Sequence, residues 1–213
     1  MKIYKQKVKK KMWAISVVVI IVTLFIGASF ALQGENLSML FGKQQADILT
    51  GSGDDIVAVI NGENITKKGF ETYKLFVNNG ESKLTDRQTL DSILEQKVLF
   101  DEATQKGLSA TDEEVAKLIE STQDIMRENE ERFSAFKDYL NGLNMSEDQY
   151  WDSVKPAYNK FITCGKLKSA LKEKFAEDNN ILDKTELDTK FRNYYSQYVK
   201  ELEREATIET DIK

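Results

Sequence analysis

A chain of 213 residues with 30 Lys plus Arg, 35 Asp plus Glu, one cysteine, one proline and no histidine has room for one ordinary domain and an appendage. Without imidazole, Ser-His-Asp and Cys-His nucleophilic sites and histidine-containing zinc sites are excluded, and a single thiol cannot close an internal disulfide. At 41% hydrophobic and 31% charged residues, the composition fits a packed helical body rather than a disordered chain.

The charge is unevenly placed. Lys2, Lys5, Lys7, Lys9, Lys10 and Lys11 precede the first long apolar run, which leaves residues 33–213 with a net charge of −11. The run itself, residues 12–32, carries no charged side chain and would be roughly 30 Å long as a helix, the thickness of a bilayer's hydrocarbon core. Residues 1–11 therefore read as a basic cytoplasmic tail, and 12–32 as a single-pass anchor in the cell membrane with the rest of the chain exported. The rival is a cleaved signal peptide, since Ser29-Phe30-Ala31 offers small residues to a peptidase. The run is longer than a typical signal core, which favours the anchor. No cysteine lies just after it, so a lipid anchor at that point is excluded.

Residues 33–55, with Gly34, Gly42, Gly51 and Gly53, read as a flexible linker. Order is expected from Ile56, where IVAVI gives a short strand and Asn61-Gly62 a tight turn. Thr66 can cap a helix from Lys67, and Thr85 or Asp86 opens another that stops at Gly107. Thr111 with Glu114 and Ser146 with Gln149 are capping boxes. The first precedes a 3.6-residue stripe, Val115, Leu118, Ile119, Thr122, Ile125 and Met126. A shorter helix carrying Phe133, Phe136, Tyr139 and Leu140 should end at Gly142. The long helix after Ser146 should kink at Pro156 rather than stop. Asp178-Asn179-Asn180 breaks the pattern before a last helix with Leu187, Phe191, Tyr194, Tyr195, Tyr198 and Leu202. Residues 206–212 then alternate apolar and polar. Such a strand needs a partner, and 56–60 is the available one. The fold class is mainly α: an N-terminal transmembrane helix, then a multi-helix domain over 56–213, closed by a two- or three-strand β element that pairs its start and end.

Three segments together resemble the N-terminal chaperone domain of the SurA and PrsA family of extracytoplasmic foldases. They are IVAVINGENITKKGF (56–70), TLDSILEQKVLFDEATQKGLSATDEEVAKLIE (89–120) and NMSEDQYW (144–151). The C-terminal helix and strand resemble the segment that returns to complete this family's chaperone core. Family members usually insert parvulin-type prolyl isomerase domains before that last helix. Here no such interval exists and the histidines typical of parvulin sites are absent, so isomerase activity is not expected.

The resemblance implies a chaperone that needs no catalytic residue and no cofactor. A concave helical surface with exposed apolar groups can hold unfolded polypeptides reversibly, and Met and aromatic side chains suit varied clients. The candidate client-binding residues are Met126, Phe133, Phe136, Tyr139, Leu143, Met145 and Trp151, although each could equally belong to the domain core. Leu90, Ile93, Leu94, Val98, Val115, Leu118 and Ile119 are assigned to the core. Tyr194, Tyr195 and Tyr198 are expected to pack on the long helix, and Cys164, on that helix among apolar neighbours, reads as a small core residue. The acidic runs Asp112-Glu113-Glu114 and Glu128, Glu130, Glu131 read as helix ends and solvated faces rather than acid/base pairs. No metal, nucleotide or small-molecule site is legible, and an acidic ectodomain argues against nucleic acid. The expected partners are unfolded or newly secreted polypeptides and, through 12–32, the membrane, with a homodimer left open. The alternative is an adaptor holding one specific membrane or envelope protein.

Overall fold

A computed structural model describes residues 35–51, 53, 55–78 and 83–212. The basic tail at 1–11 and the anchor expected over 12–32 lie outside the described residues. Among the described residues, no helix is long and apolar enough to cross a membrane. The chain runs α1 (Glu35–Gly51), β1 (Ile56–Ile60), β2 (Glu63–Thr66), α2 (Lys67–Val77), α3 (Asp86–Gln105), α4 (Asp112–Arg127), α5 (Glu130–Leu143), α6 (Glu147–Asp178), α7 (Lys184–Glu205) and β3 (Ile208–Thr210).

Local chemistry sets most boundaries. Thr66, Thr85, Thr111 and Ser146 each cap a helix by accepting from a backbone N–H three residues on. Thr85 with Gln88, Thr111 with Glu114 and Ser146 with Gln149 complete reciprocal capping boxes. Gly107, Asn144 and Asn180 hold positive φ just past α3, α5 and α6. After each of them, the next N–H reaches a carbonyl five residues back: Leu108 to Ala103, Met145 to Leu140 and Ile181 to Ala176. α6 runs through Pro156 for 32 residues, about 48 Å.

The two ends of the described body meet. β1 pairs antiparallel with β2 across the two-residue Asn61-Gly62 turn, both at positive φ, and with β3 on its other edge. The sheet order is β2-β1-β3. Asn61 also clamps the C-terminal segment: its N–H donates to Thr207 O at 2.9 Å, and its Oδ1 accepts from Thr207 N at 3.1 Å. The pairing expected between 56–60 and the last strand is therefore present, over Ile208–Thr210.

Two expectations are corrected. The segment read as a flexible linker over 33–55 is instead helical over Glu35–Gly51 and belongs to the body, because α1 packs against α5 and α2. Gly142 does not end α5. It lies inside the helix, where a Cβ would come 2.2 Å from Met39 O, and Asn144 takes the left-handed position that stops the helix. The same crossing explains Gly42, whose Cβ would lie 2.2 Å from Tyr139 O. Two glycines on facing helices thus let α1 and α5 approach backbone to backbone.

One large core joins α1, through Phe41, to the sheet, α2, the first part of α3, α4, α5 and the first part of α6. A second, around Leu99, Ala103, Leu167, Leu171, Phe191 and Val199, holds α7 against α3 and α6. The residues assigned to the core are buried, Leu118 excepted, which is half-buried against it. α6 passes to α7 through 179–183 alone, so no domain stands between the long helix and the last one.

Candidate functional site

The α4–α5–α6 region was expected to offer an open apolar surface. It is closed. Met126, Phe136, Tyr139, Leu143 and Trp151 are buried, Phe136 and Tyr139 to 1% exposure, while Phe133 and Met145 are half-buried against the same core. For Tyr139 and Leu143 the physical reason is α1, whereas Phe136 and Trp151 are buried against each other and Tyr150. Periodicity in α5 identifies an apolar face, and the helix that covers part of it lay in the segment read as a linker.

The side chains form one aromatic cluster. Phe136 meets Tyr150 edge-on at 5.2 Å between centroids and lies 5.5 Å from Trp151. Tyr139 stands perpendicular to Tyr150 at 5.9 Å, and Tyr150 to Trp151 at 5.2 Å. From α1, Phe41 joins the cluster at 6.1 Å from Tyr139 and packs edge-on against Phe76 of α2 at 5.0 Å. At the outer margin, Trp151 Nε1 donates to Glu147 Oε1 at 3.3 Å, and Arg127 pairs with the same oxygen at 2.6 Å. Phe133 carries the Lys137 ammonium over its ring at 4.8 Å.

The polar atoms within this region are incompletely paired. Tyr139 donates its hydroxyl to Gln45 Oε1 of α1. Three buried hydroxyls, Ser38 Oγ on α1, Thr72 Oγ1 on α2 and Tyr150 Oη, have no hydrogen-bond partner among the described residues. Burial drives the phenols of Tyr139 and Tyr150 well above their ordinary range. A buried hydroxyl without a partner costs about 1–3 kcal/mol, so α1 closes over the cluster against a polar penalty.

Elsewhere the sites are structural. Lys97, 6% exposed, pairs with Glu63 Oε2 at 3.1 Å and with Asp101, which also accepts from Asn61 at 3.2 Å. This joins the hairpin turn to α3. Lys160 lies over the Phe100 ring at 5.4 Å, and burial lowers its pKa. Burial pushes the Cys164 thiol up to about 11, as for an inert half-buried thiol. Tyr194, Tyr195 and Tyr198 pack on the second core, as expected. Among the described residues, no three His, Cys, Asp or Glu side chains gather to hold a metal. The large apolar side chains left exposed, Leu37 and Leu40 of α1 with Ile56, Ile125, Phe161, Leu182 and Ile208 elsewhere, include none of the seven candidates.

Ser38, Phe41 and Gln45 were missed. The available signal was the spacing Met39, Gly42, Ala46, Leu49, a helical stripe interrupted by a glycine that reads as a linker residue in isolation.

A sequence model of the SurA-like N-terminal domain matches residues 1–158, with no parvulin match beside it. No curated protein and no solved structure matches the chain.

Proposed function

Because the chain belongs to the SurA-like N-terminal domain family, we propose that it is a membrane-anchored, extracytoplasmic, ATP-independent chaperone. It holds unfolded secreted polypeptides by apolar contact and has no isomerase activity. The observation that carries this reading is the family match over 1–158, which spans α1, the hairpin, α2–α5 and the first part of α6. The absence of histidine from the whole chain and the short 179–183 connection support the lack of an isomerase. The six lysines ahead of the apolar run support the anchored, exported orientation.

Apolar burial is reversible and needs no nucleotide, so a chaperone of this kind works by the balance between its own apolar surface and the client's. Phe133 and Met145, half-buried, are the two candidates that a client reaches directly. Met126, Phe136, Tyr139, Leu143 and Trp151 form the layer beneath. Burial of those five favours a second reading, an adaptor with one dedicated membrane or envelope partner.

The full chain in detergent micelles or nanodiscs, mixed with reduced lysozyme, reduced insulin and a third unrelated aggregating protein, separates the two. Suppression of light scattering for all three near equimolar ratio is expected of the chaperone. Protection of none at several-fold excess would leave the adaptor.

A further inference from the structure

We propose that α1 is a reversible lid lying in the client site itself, and that unfolded polypeptide binds the α2–α5 groove by taking the place of α1. This rests on the chaperone reading and names its site. The occupant is an amphipathic client segment carrying an aromatic residue next to a small one, because that is what α1 presents to the groove.

Four observations converge on it. First, Phe41 inserts between Phe76 and Tyr139 while Gly42 brings the α1 backbone onto α5, so α1 offers one ring and a bare backbone. Second, all three orphaned hydroxyls belong to α1, to α2 against which it packs, or to Tyr150 in the cluster that it helps close. The second core, which holds α7, contains none of the three. A seam meant to stay shut rarely leaves polar groups unpaired. Third, the face of α1 turned to the body mixes Phe41 with Ser38 and Gln45, whereas Leu37 and Leu40 face away and stay exposed. Fourth, α1 connects to β1 through 52–55 and contributes no strand or sheet pairing. It can therefore leave while the sheet and the α3–α6–α7 packing remain.

Leaving would uncover the Phe76, Tyr139 and Leu143 surfaces together, the last two being among the candidate client-binding residues. A client then competes with α1, and the apparent affinity falls by the fraction of molecules that are open.

Substitutions that act in opposite directions test this in the full chain. Gly42→Ala places a methyl group against Tyr139 O, and Phe41→Ser withdraws the ring. Both favour the open form. Ser38→Ala removes an unpaired hydroxyl and favours the closed form. Reduced lysozyme is the probe, with hydrogen exchange over 35–51 as the direct readout of the lid. The first two variants should exchange faster over 35–51 and bind reduced lysozyme with an apparent dissociation constant lowered about fivefold or more, and Ser38→Ala should raise it. Faster exchange over 35–51 with affinity unchanged or weakened in both opened variants would overturn the lid while leaving the chaperone reading intact. No binding by wild type or by either opened variant would overturn both. Should Gly42→Ala not fold, Phe41→Ser and Ser38→Ala still give the two directions.

Discussion

Tyr198 donates its hydroxyl to Glu102 Oε1 at 2.5 Å, joining α7 to α3 at the edge of the second core. That hydrogen bond, ahead of the Lys106 contact, holds the Glu102 carboxyl below its ordinary value, while burial and the carboxylate push the Tyr198 phenol up. A carboxylate whose folded pKa is depressed contributes stability above its unfolded pKa and loses it as pH falls through the folded value. Tyr198→Phe should therefore cost about 1 kcal/mol at pH 7, in line with a partly solvated charge-assisted bond. The cost should shrink toward zero on acidification below the ordinary carboxylate range. Urea midpoints of the two proteins across pH 3–7 read this directly, and a penalty independent of pH would assign the effect to ring packing alone. At this scale the sequence was informative about residue type and not about company. The tyrosines of α7 were placed against the long helix from spacing, but nothing in their order named Glu102, 96 residues away. Phe136 and Tyr139 illustrate the same limit. Spacing put them on an apolar face, but whether that face met water depended on Phe41 and Gln45 for Tyr139 and on Tyr150 and Trp151 for Phe136.

The elements that announced themselves were those with chemical punctuation. Capping boxes at Thr85, Thr111 and Ser146 lie where backbone donors would otherwise go unpaired, so their positions are dictated locally. α1 has no such marker within the described residues, and two of its glycines gave a local signal opposite to the tertiary outcome. Its helix is stabilised by contact with α5 rather than by its own sequence. α6 works the other way, as the strut on which other elements hang. Thr163 Oγ1, with its residue fully buried, accepts from Ala110 N at 2.9 Å, Asn159 donates to Ala110 O at 3.3 Å, and Lys166 binds both Ser109 O and Glu114. The α3–α4 connection is thus pinned by three side chains on successive turns of one helix. Thr163→Val keeps the volume and removes the acceptor, stranding the Ala110 N–H. It should lower stability by about 1–2 kcal/mol, seen as a reduced urea midpoint with an unchanged slope. An unchanged midpoint would mean that Asn159, Lys166 and the Thr111 cap suffice to hold the connection.

Over the whole molecule, the unit that folds is larger than the stretch covered by the family match. Residues 1–158 contain β1 and β2, yet β1 is completed on its far edge by β3, about 150 residues later. Without β3, Ala58, Val59 and Ile60 would lose their partners Thr210, Glu209 and Ile208, and an inner strand would become an open edge. Thr210 Oγ1 also donates to Val57 O at 2.9 Å, and the Asn61–Thr207 pair locks the turn to the chain leaving α7. These bonds tie α7 to the first core, and the second core ties it to α3 and α6, so α7 is held at both ends. A chain stopped after Ala206 should keep its helical content but lose that double attachment. Hydrogen exchange of α7 and of β1 should speed up together, while α4 and α5, which pack mainly against α6 and α1, should keep the protection seen in the full chain. If α7 stayed as protected as before, the second core alone would suffice to hold it, and the closing strand would serve only to cover the β1 edge.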